Sequence, residues 1–243
     1  MNGFANHPSC RVACLCDTDP TALAQGQAVS GIEATASQLD QVLEDRQVDA
    51  VALFTPAPVH AEQSVAALRA GKHVLCEARM ATSAQEAQDM LDAARERPDL
   101  VAQIVPSPLT FKIDRLLQAK IAEGYIGDII GVSVQSLGNN FMDQGGPMHW
   151  RNDRDLSGYN ILNMGIWYEA MIRWVGRATK VTAMTKVTVN SRKDEIGQAV
   201  DVTIPDHVGI IAELANGAMA NMQFSGCLLY TSPSPRDQRG ERM

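Results

Sequence analysis

The stretch from Val48 to Glu77, VDAVALFTPAPVHAEQSVAALRAGKHVLCE, restricts the possible folds more than any other part of the chain. Val48–Phe54 is apolar and β-rich, the composition of a strand buried on both faces. Thr55-Pro56-Ala57-Pro58 ends it, because proline has no N–H for a ladder and pushes the residue before it out of the helical region. His60–Ala70 then carries Ala61, Val65 and Leu68 at helical spacing, and Gly71 is a natural helix stop. His73–Cys76 returns to strand. Two buried strands joined by a helix are expected to run parallel with a right-handed crossover. Ligands of such sheets bind beyond the carboxyl ends of the strands, which here are Thr55-Pro56 and Glu77-Ala78-Arg79.

Three segments carry a resemblance. Thr55-Pro56 followed by His60, AGKHVLCE at Ala70–Glu77, and AEGYIGDIIGVSV at Ala122–Val134 closely resemble the glucose–fructose oxidoreductase/inositol dehydrogenase (Gfo/Idh/MocA) family, the last at the start of its second domain. The resemblance extends from Asp17 to Gly226. It implies an oxidoreductase that uses NAD or NADP on a sugar, polyol or related hydroxyl compound, from a cytoplasmic, homo-oligomeric parent. It also implies an α/β fold: a partial Rossmann-like parallel sheet in residues 1–105, then an α+β substrate and oligomerisation domain in residues 106–226 with a mainly antiparallel sheet.

The alternation of elements supports the same layout. Parallel strands are expected at Arg11–Cys16, Val48–Phe54, His73–Cys76 and Leu100–Val105, with helices on both faces. Ser83–Arg97 reads as an amphipathic helix opened by a Ser83/Glu86 capping box and closed by Pro98. Further helices are expected at Pro20–Gly26, Ser37–Asp45, Phe111–Ala122 and Ile161–Val175. Strands are expected at Ile129–Val134, Lys180–Val189 and His207–Gly226, the last split by an Asn216-Gly217 hairpin turn.

Asp17 follows the RVACLC strand. By itself it reads as a turn or helix-capping aspartate before Pro20. In dinucleotide-binding folds an acidic residue at this place holds the adenosine ribose, about 20 residues after a glycine-rich phosphate loop. With the resemblance, Asp17 takes the ribose role, and Thr55, Pro56, His60 and Glu77 join it as candidate cofactor contacts; His60 reads equally as an ordinary residue of the helix's first turn. Gly3 is the only glycine before Asp17. The expectation is therefore that the first strand and phosphate loop precede Met1 in a longer protein, and that the chain as it stands neither binds NAD tightly nor turns over substrate.

Oxidising a hydroxyl needs a hydride acceptor and a base. In the family pattern the second strand of the organising unit ends in Glu-Lys-Pro and supplies a catalytic lysine; this chain has Glu77-Ala78-Arg79. The family's Asp-x-x-x-His, two side chains on one helix face, is Asn163 and Trp167 here. None of Ala78, Asn163 or Trp167 titrates usefully. His149, in the long Gly138–Asp155 loop, and Tyr168 are the candidate substitute bases. Trp150, Arg151, Asn163 and Trp167 are candidate substrate contacts, Trp150-Arg151 because it matches the family's substrate region. The alternatives are a non-catalytic sugar- and nucleotide-binding relative, or an elimination-type glycosidase using tightly held NAD.

A net charge of −7 argues against a nucleic-acid or acidic-membrane partner, and no apolar run reaches the roughly 20 residues that span a bilayer. Cys14 and Cys16 fall on one face of a strand and read as apolar fillers in a reducing compartment; with only His7 nearby, no metal site is expected. From Cys227 the chain turns polar and Pro/Arg-rich. Residues 227–243 resemble a translated sequencing-library adapter, an artefact of metagenomic assembly, and are expected to pack on nothing.

Overall fold

The computed structural model describes residues 4, 6–105, 113–138, 141, 145–159, 163–194 and 196–226. The chain divides into two compact units, Met1–Val105 and Pro106–Met243. The adapter-like tail lies outside the described residues, as do Phe111 and Ile161 at two expected helix starts.

In the first unit β1 (Leu15–Cys16) leads to α1 (Pro20–Ser30), then β2 (Thr35–Ala36) and α2 (Leu39–Glu44). The organising stretch follows as β3 (Ala50–Leu53), a 3₁₀ turn at Ala57–Val59, α3 (His60–Arg69) and β4 (His73–Cys76); α4 (Ala84–Glu96) and β5 (Ala102–Ile104) complete the unit. Strands β3, β4 and β5 form one parallel sheet in that order, as the strand–helix–strand pattern requires.

Alternation along these strands buries Val51 and Leu53 of β3 and Val74 and Cys76 of β4 beneath α3 and α4, against Ala67, Leu68, Met90 and Ala93. Gly71, at φ 81°, lets the chain leave α3, and the N–H of Lys72 bonds back to Ala67. The Lys72 side chain is buried, and its Nζ donates to the carbonyls of Asp45 and Val48, both at 2.7 Å. The Gly-Lys pair thereby anchors the start of β3 to the start of β4.

Three expectations need correction here. RVACLC does not join the main sheet: only Leu15–Cys16 is strand, and it pairs in parallel with Thr35–Ala36. A cavity of about 570 Å³ is lined by residues of and beside both strands, Leu15, Cys16, Ala50, Ala52 and Phe54 among them, and no ladder joins β1 to β3. Helices do not cover both faces among the described residues, since Ala50 and Ala52, on the face away from Val51 and Leu53, are exposed. The Ser83 hydroxyl does accept the N–H of Glu86. The returning arm of the capping box differs: the Glu86 carboxylate takes the N–H and hydroxyl of Thr82, one residue earlier than a capping box has it.

The second unit contains α5 (Asp114–Ala122), β6 (Gly131–Leu137), a 3₁₀ turn at Trp150–Asn152, α6 (Arg154–Ser157), α7 (Met164–Val175), β7 (Ala178–Lys186), β8 (Ser191–Lys193), β9 (Ala199–Asp201), β10 (His207–Leu214) and β11 (Met219–Ser225). The main sheet has the order β6-β11-β10-β7. It is antiparallel except at its β6 edge, which runs parallel to β11. Asn216-Gly217 turns the β10–β11 hairpin, with Gly217 at φ 86°. Met171 of α7 seals the apolar face with Ala212, Leu214, Ala220, Met222 and Phe224. The opposite face is open: Met184, Ile211 and Met219 are 81%, 56% and 52% exposed.

Candidate functional site

In the first unit the candidate residues stand where the strands end. The N–H of Asp19 bonds to Asp17 Oδ1 at 2.9 Å, and Asp19 in turn caps α1 by accepting the N–H of Thr21 at 2.8 Å. Helix capping therefore falls to Asp19, which leaves the Asp17 carboxylate exposed at the end of β1. Thr55 stands two residues after the end of β3; its hydroxyl donates to Gln63 Oε1 at 2.6 Å. Pro56 opens the 3₁₀ turn in extended backbone, at φ −62° and ψ 146°.

His60 is buried at the first position of α3, with one ring nitrogen on the carbonyl of Thr55 and the other on that of Arg79. Glu77 follows β4, and its Oε1 accepts the N–H of Ala78 at 3.0 Å. The Ala78–Arg79 peptide is cis. Asp17, Thr55 and Glu77 thus all stand at carboxyl ends of parallel strands, where a dinucleotide is held in such sheets.

The donor set fits part of that cofactor. An exposed carboxylate after β1 suits the vicinal hydroxyls of the adenosine ribose. In this unit, among the described residues, no helix opens from a glycine-rich turn of the kind that holds a pyrophosphate. No cluster of His, Cys, Asp or Glu suited to a metal ion occurs among the described residues.

In the second unit the long loop is organised by β8. The N–H of Met148 bonds to the Lys193 carbonyl, and Pro147 bridges Lys193. This brings His149, Trp150 and Arg151 into one stack. The guanidinium of Arg151 lies 4.2 Å from the Trp150 ring centre, and the His149 ring 5.6 Å from it. Nδ1 of His149 accepts the N–H of Arg151 at 3.1 Å. Partial burial, then the charges of Arg151 and Arg192, push the His149 pKa below the ordinary imidazole value. The ring is therefore neutral at pH 7 with its proton on Nε2, a hydrogen-bond donor.

Asn163 and Trp167 occupy one turn of α7: Asn163 is its exposed N-cap residue, and its carbonyl accepts the N–H of Trp167. Trp167 and Tyr168 both pack against the core beneath the sheet. The Tyr168 hydroxyl accepts the N–H of Ala178, at the start of β7, at 3.0 Å.

Two residues, one beside this loop and one within it, went unread in the sequence. Arg192 is buried, with Nη2 donating to the Phe141 carbonyl, and its charge acts on His149. Asn152 is buried in the 3₁₀ turn. Neither belongs to an apolar pattern, so no periodicity exposes it.

The architecture defines a class: a nucleotide-binding α/β unit followed by an α+β unit built on an open sheet. Residues 1–104 match the family model described as "Oxidoreductase family, NAD-binding Rossmann fold", and residues 115–239 match "GFO/IDH/MocA C-terminal domain". The chain belongs to the Gfo/Idh/MocA family of NAD(P)-dependent oxidoreductases.

Levoglucosan dehydrogenase of Pseudarthrobacter phenanthrenivorans is 25% identical over 224 residues, which cover 86% of this chain and 57% of that protein. The crystal structure of an oxidoreductase domain protein from Kribbella flavida superposes with a TM-score of 0.79 at 28% identity, covering 88% of this chain and 58% of that one. Levoglucosan dehydrogenase in complex with NADH and L-sorbose superposes with a TM-score of 0.80 at 23% identity, covering 94% and 62%, and shows the fold alone. The chain thus spans somewhat more than half the length of these relatives. No helix among the described residues is long and apolar enough to cross a membrane.

Proposed function

We propose that this chain belongs to a protein that exchanges a hydride between NAD(P) and a hydroxyl or carbonyl carbon of a sugar or polyol. The observation that carries this reading is the exposed Asp17 carboxylate at the end of β1, freed from capping by Asp19, in a unit whose sequence matches the NAD-binding Rossmann model. Asp17 binds the adenosine ribose, and Thr55, Pro56 and Glu77 form the strand ends facing the rest of the dinucleotide, while His60, buried behind them, holds the Thr55 and Arg79 main chain in place. When bound, the nicotinamide takes or gives the hydride. Trp150 and Arg151 offer a sugar an aromatic face and a rigid fork of donors. Asn163 and Trp167 stand where the family pattern has its Asp and His. The relatives that act on anhydrosugars favour this substrate class.

Proton transfer is reassigned in this reading, because Ala78, Asn163 and Trp167 supply no base. His149 presents Nε2–H to a substrate oxygen. To act as a base at Nε2, its ring must move the proton to Nδ1 and give up the Arg151 bond. Tyr168 shares its hydroxyl with the N–H of Ala178 and is the second candidate. A non-catalytic binding protein is the other reading, and the three inert positions are what favour it. We further propose that the open sheet face around Met184, Ile211 and Met219 packs on a second copy of the chain, since an apolar patch of this kind marks an association surface.

The test is NADH formation by the protein of the complete reading frame on a panel of anhydrosugars, inositols and aldoses. Turnover on any of them supports the oxidoreductase reading. NADH binding with no turnover in either direction supports the binding protein.

A further inference from the structure

His60 has only 2% of its surface exposed, and both of its ring nitrogens meet main-chain oxygens. Nδ1 lies 2.7 Å from the carbonyl oxygen of Arg79, and Nε2 lies 2.6 Å from that of Thr55. A carbonyl oxygen only accepts. A neutral imidazole has one N–H and one bare nitrogen, so in either tautomer one of the two contacts would set lone pair against lone pair. These distances leave no room for a water between the partners. Only the imidazolium, with two N–H groups, satisfies both oxygens. His7, His73 and His149 show the opposite arrangement: each accepts a backbone N–H at Nδ1, which requires a bare nitrogen there.

We propose that His60 carries a proton on each ring nitrogen in the native state and acts as a cationic clamp, tying the turn after β3 to the segment after β4. Both bonds are then charge-assisted, the stronger kind of hydrogen bond. The ionisable side chains on the segments around the ring are Glu62 in the first turn of α3, and Cys76, Glu77 and Arg79 at the end of β4. Glu62 and Glu77 favour a cation. Arg79 and the positive N-terminal end of α3 oppose it. Burial of the ring also opposes the charge; what favours it is that both nitrogens lie at hydrogen-bond distance from carbonyl oxygens, one of which a neutral ring leaves without an N–H.

The clamp fixes the two strand ends relative to each other and places a buried positive charge between them. His60 is in this sense a positioning residue. The inference goes beyond the dinucleotide reading and does not depend on it, because the two carbonyls face the ring whatever ligand the strand ends meet.

The test is nitrogen NMR of the histidine side chains in the intact chain at pH 7.5. A histidine with the ordinary value of about 6.5 would be about nine-tenths neutral there. Both His60 nitrogens should resonate as protonated nitrogens, while His7, His73 and His149 each show one bare nitrogen. The His60 signals are assigned by their loss in His60→Gln. Should that variant not fold, His7→Gln, His73→Gln, His149→Gln and His207→Gln assign them by elimination. A bare-nitrogen signal from His60 at pH 7.5 overturns the clamp; two protonated signals support it.

Discussion

The Nδ1 atom of His149 accepts the backbone N–H of Arg151 at 3.1 Å, and that bond decides which face of the imidazole can do chemistry. The proton of the neutral ring is confined to Nε2. Burial, Arg151 and Arg192 all act against a second proton.

His149 should therefore titrate below the ordinary value of about 6.5. Arg151→Ala removes one cation and keeps the backbone N–H, so the midpoint should move upward. The measurement is an NMR titration of the His149 ring protons in both proteins. A midpoint at or above the ordinary value in the parent would contradict the electrostatic account.

Tyr168→Phe leaves the N–H of Ala178 without its hydroxyl acceptor at a half-buried site. The expected loss is about 1 kcal/mol of stability, read from urea denaturation of the two proteins. If Tyr168 also supplies the base, the variant of the complete protein loses turnover far beyond what 1 kcal/mol explains. An unchanged rate removes Tyr168 as the proton acceptor.

Lys72→Met keeps the buried stem of the side chain and deletes both Nζ bonds to Asp45 and Val48. Bonds from a charged donor contribute about 1.5–3 kcal/mol each, and the relieved desolvation of the ammonium offsets part of that. A net loss of about 2–3 kcal/mol is expected in chemical denaturation. A variant as stable as the parent would show that the anchor between the β3 and β4 starts is dispensable.

Asp206 is buried ahead of β10, and its Oδ2 accepts the N–H groups of Thr188 and Val189 at 2.8 and 2.9 Å. Asp206→Ala strands both donors and should cost about 2–4 kcal/mol. Asp206→Asn retains one acceptor oxygen and should recover part of the loss. Thermal unfolding of the three proteins distinguishes these outcomes.

Much of the fold was legible where local signals and packing agree. His73–Cys76 was read to the residue, because Gly71 stops the preceding helix and the run is apolar and β-rich. Ser83 was read as a cap and is one. Leu15–Cys16 shows the limit: an apolar run predicts a strand but not its neighbour, and Thr35–Ala36 is too short to announce itself. The β8–β9 hairpin was invisible, since Ser191–Lys193 is polar and its pairing with Ala199–Asp201 is a tertiary fact.

The candidate site divides in the same way. Its residues could be named, but their hydrogen bonds could not. Asp17 and Asp19 are equivalent on paper, and only the N–H of Thr21, bonded to Asp19, assigns capping to one and leaves the other exposed. The orientation of the His149 ring depends on the 3₁₀ turn at Trp150–Asn152, and of the two charges that act on it the smaller contribution comes from Arg192, some forty residues away in sequence.

The central claim is that Asp17 holds the ribose of a dinucleotide whose pyrophosphate finds no glycine-rich turn among the described residues of the first unit. Calorimetric titration of NADH into the 243-residue chain and into its Asp17→Ala variant tests it most directly. The account predicts binding weaker than micromolar in the parent, weakened further by about tenfold or more in Asp17→Ala, because a charged acceptor contributes about 1.5–3 kcal/mol. Micromolar binding that Asp17→Ala leaves unchanged would contradict it.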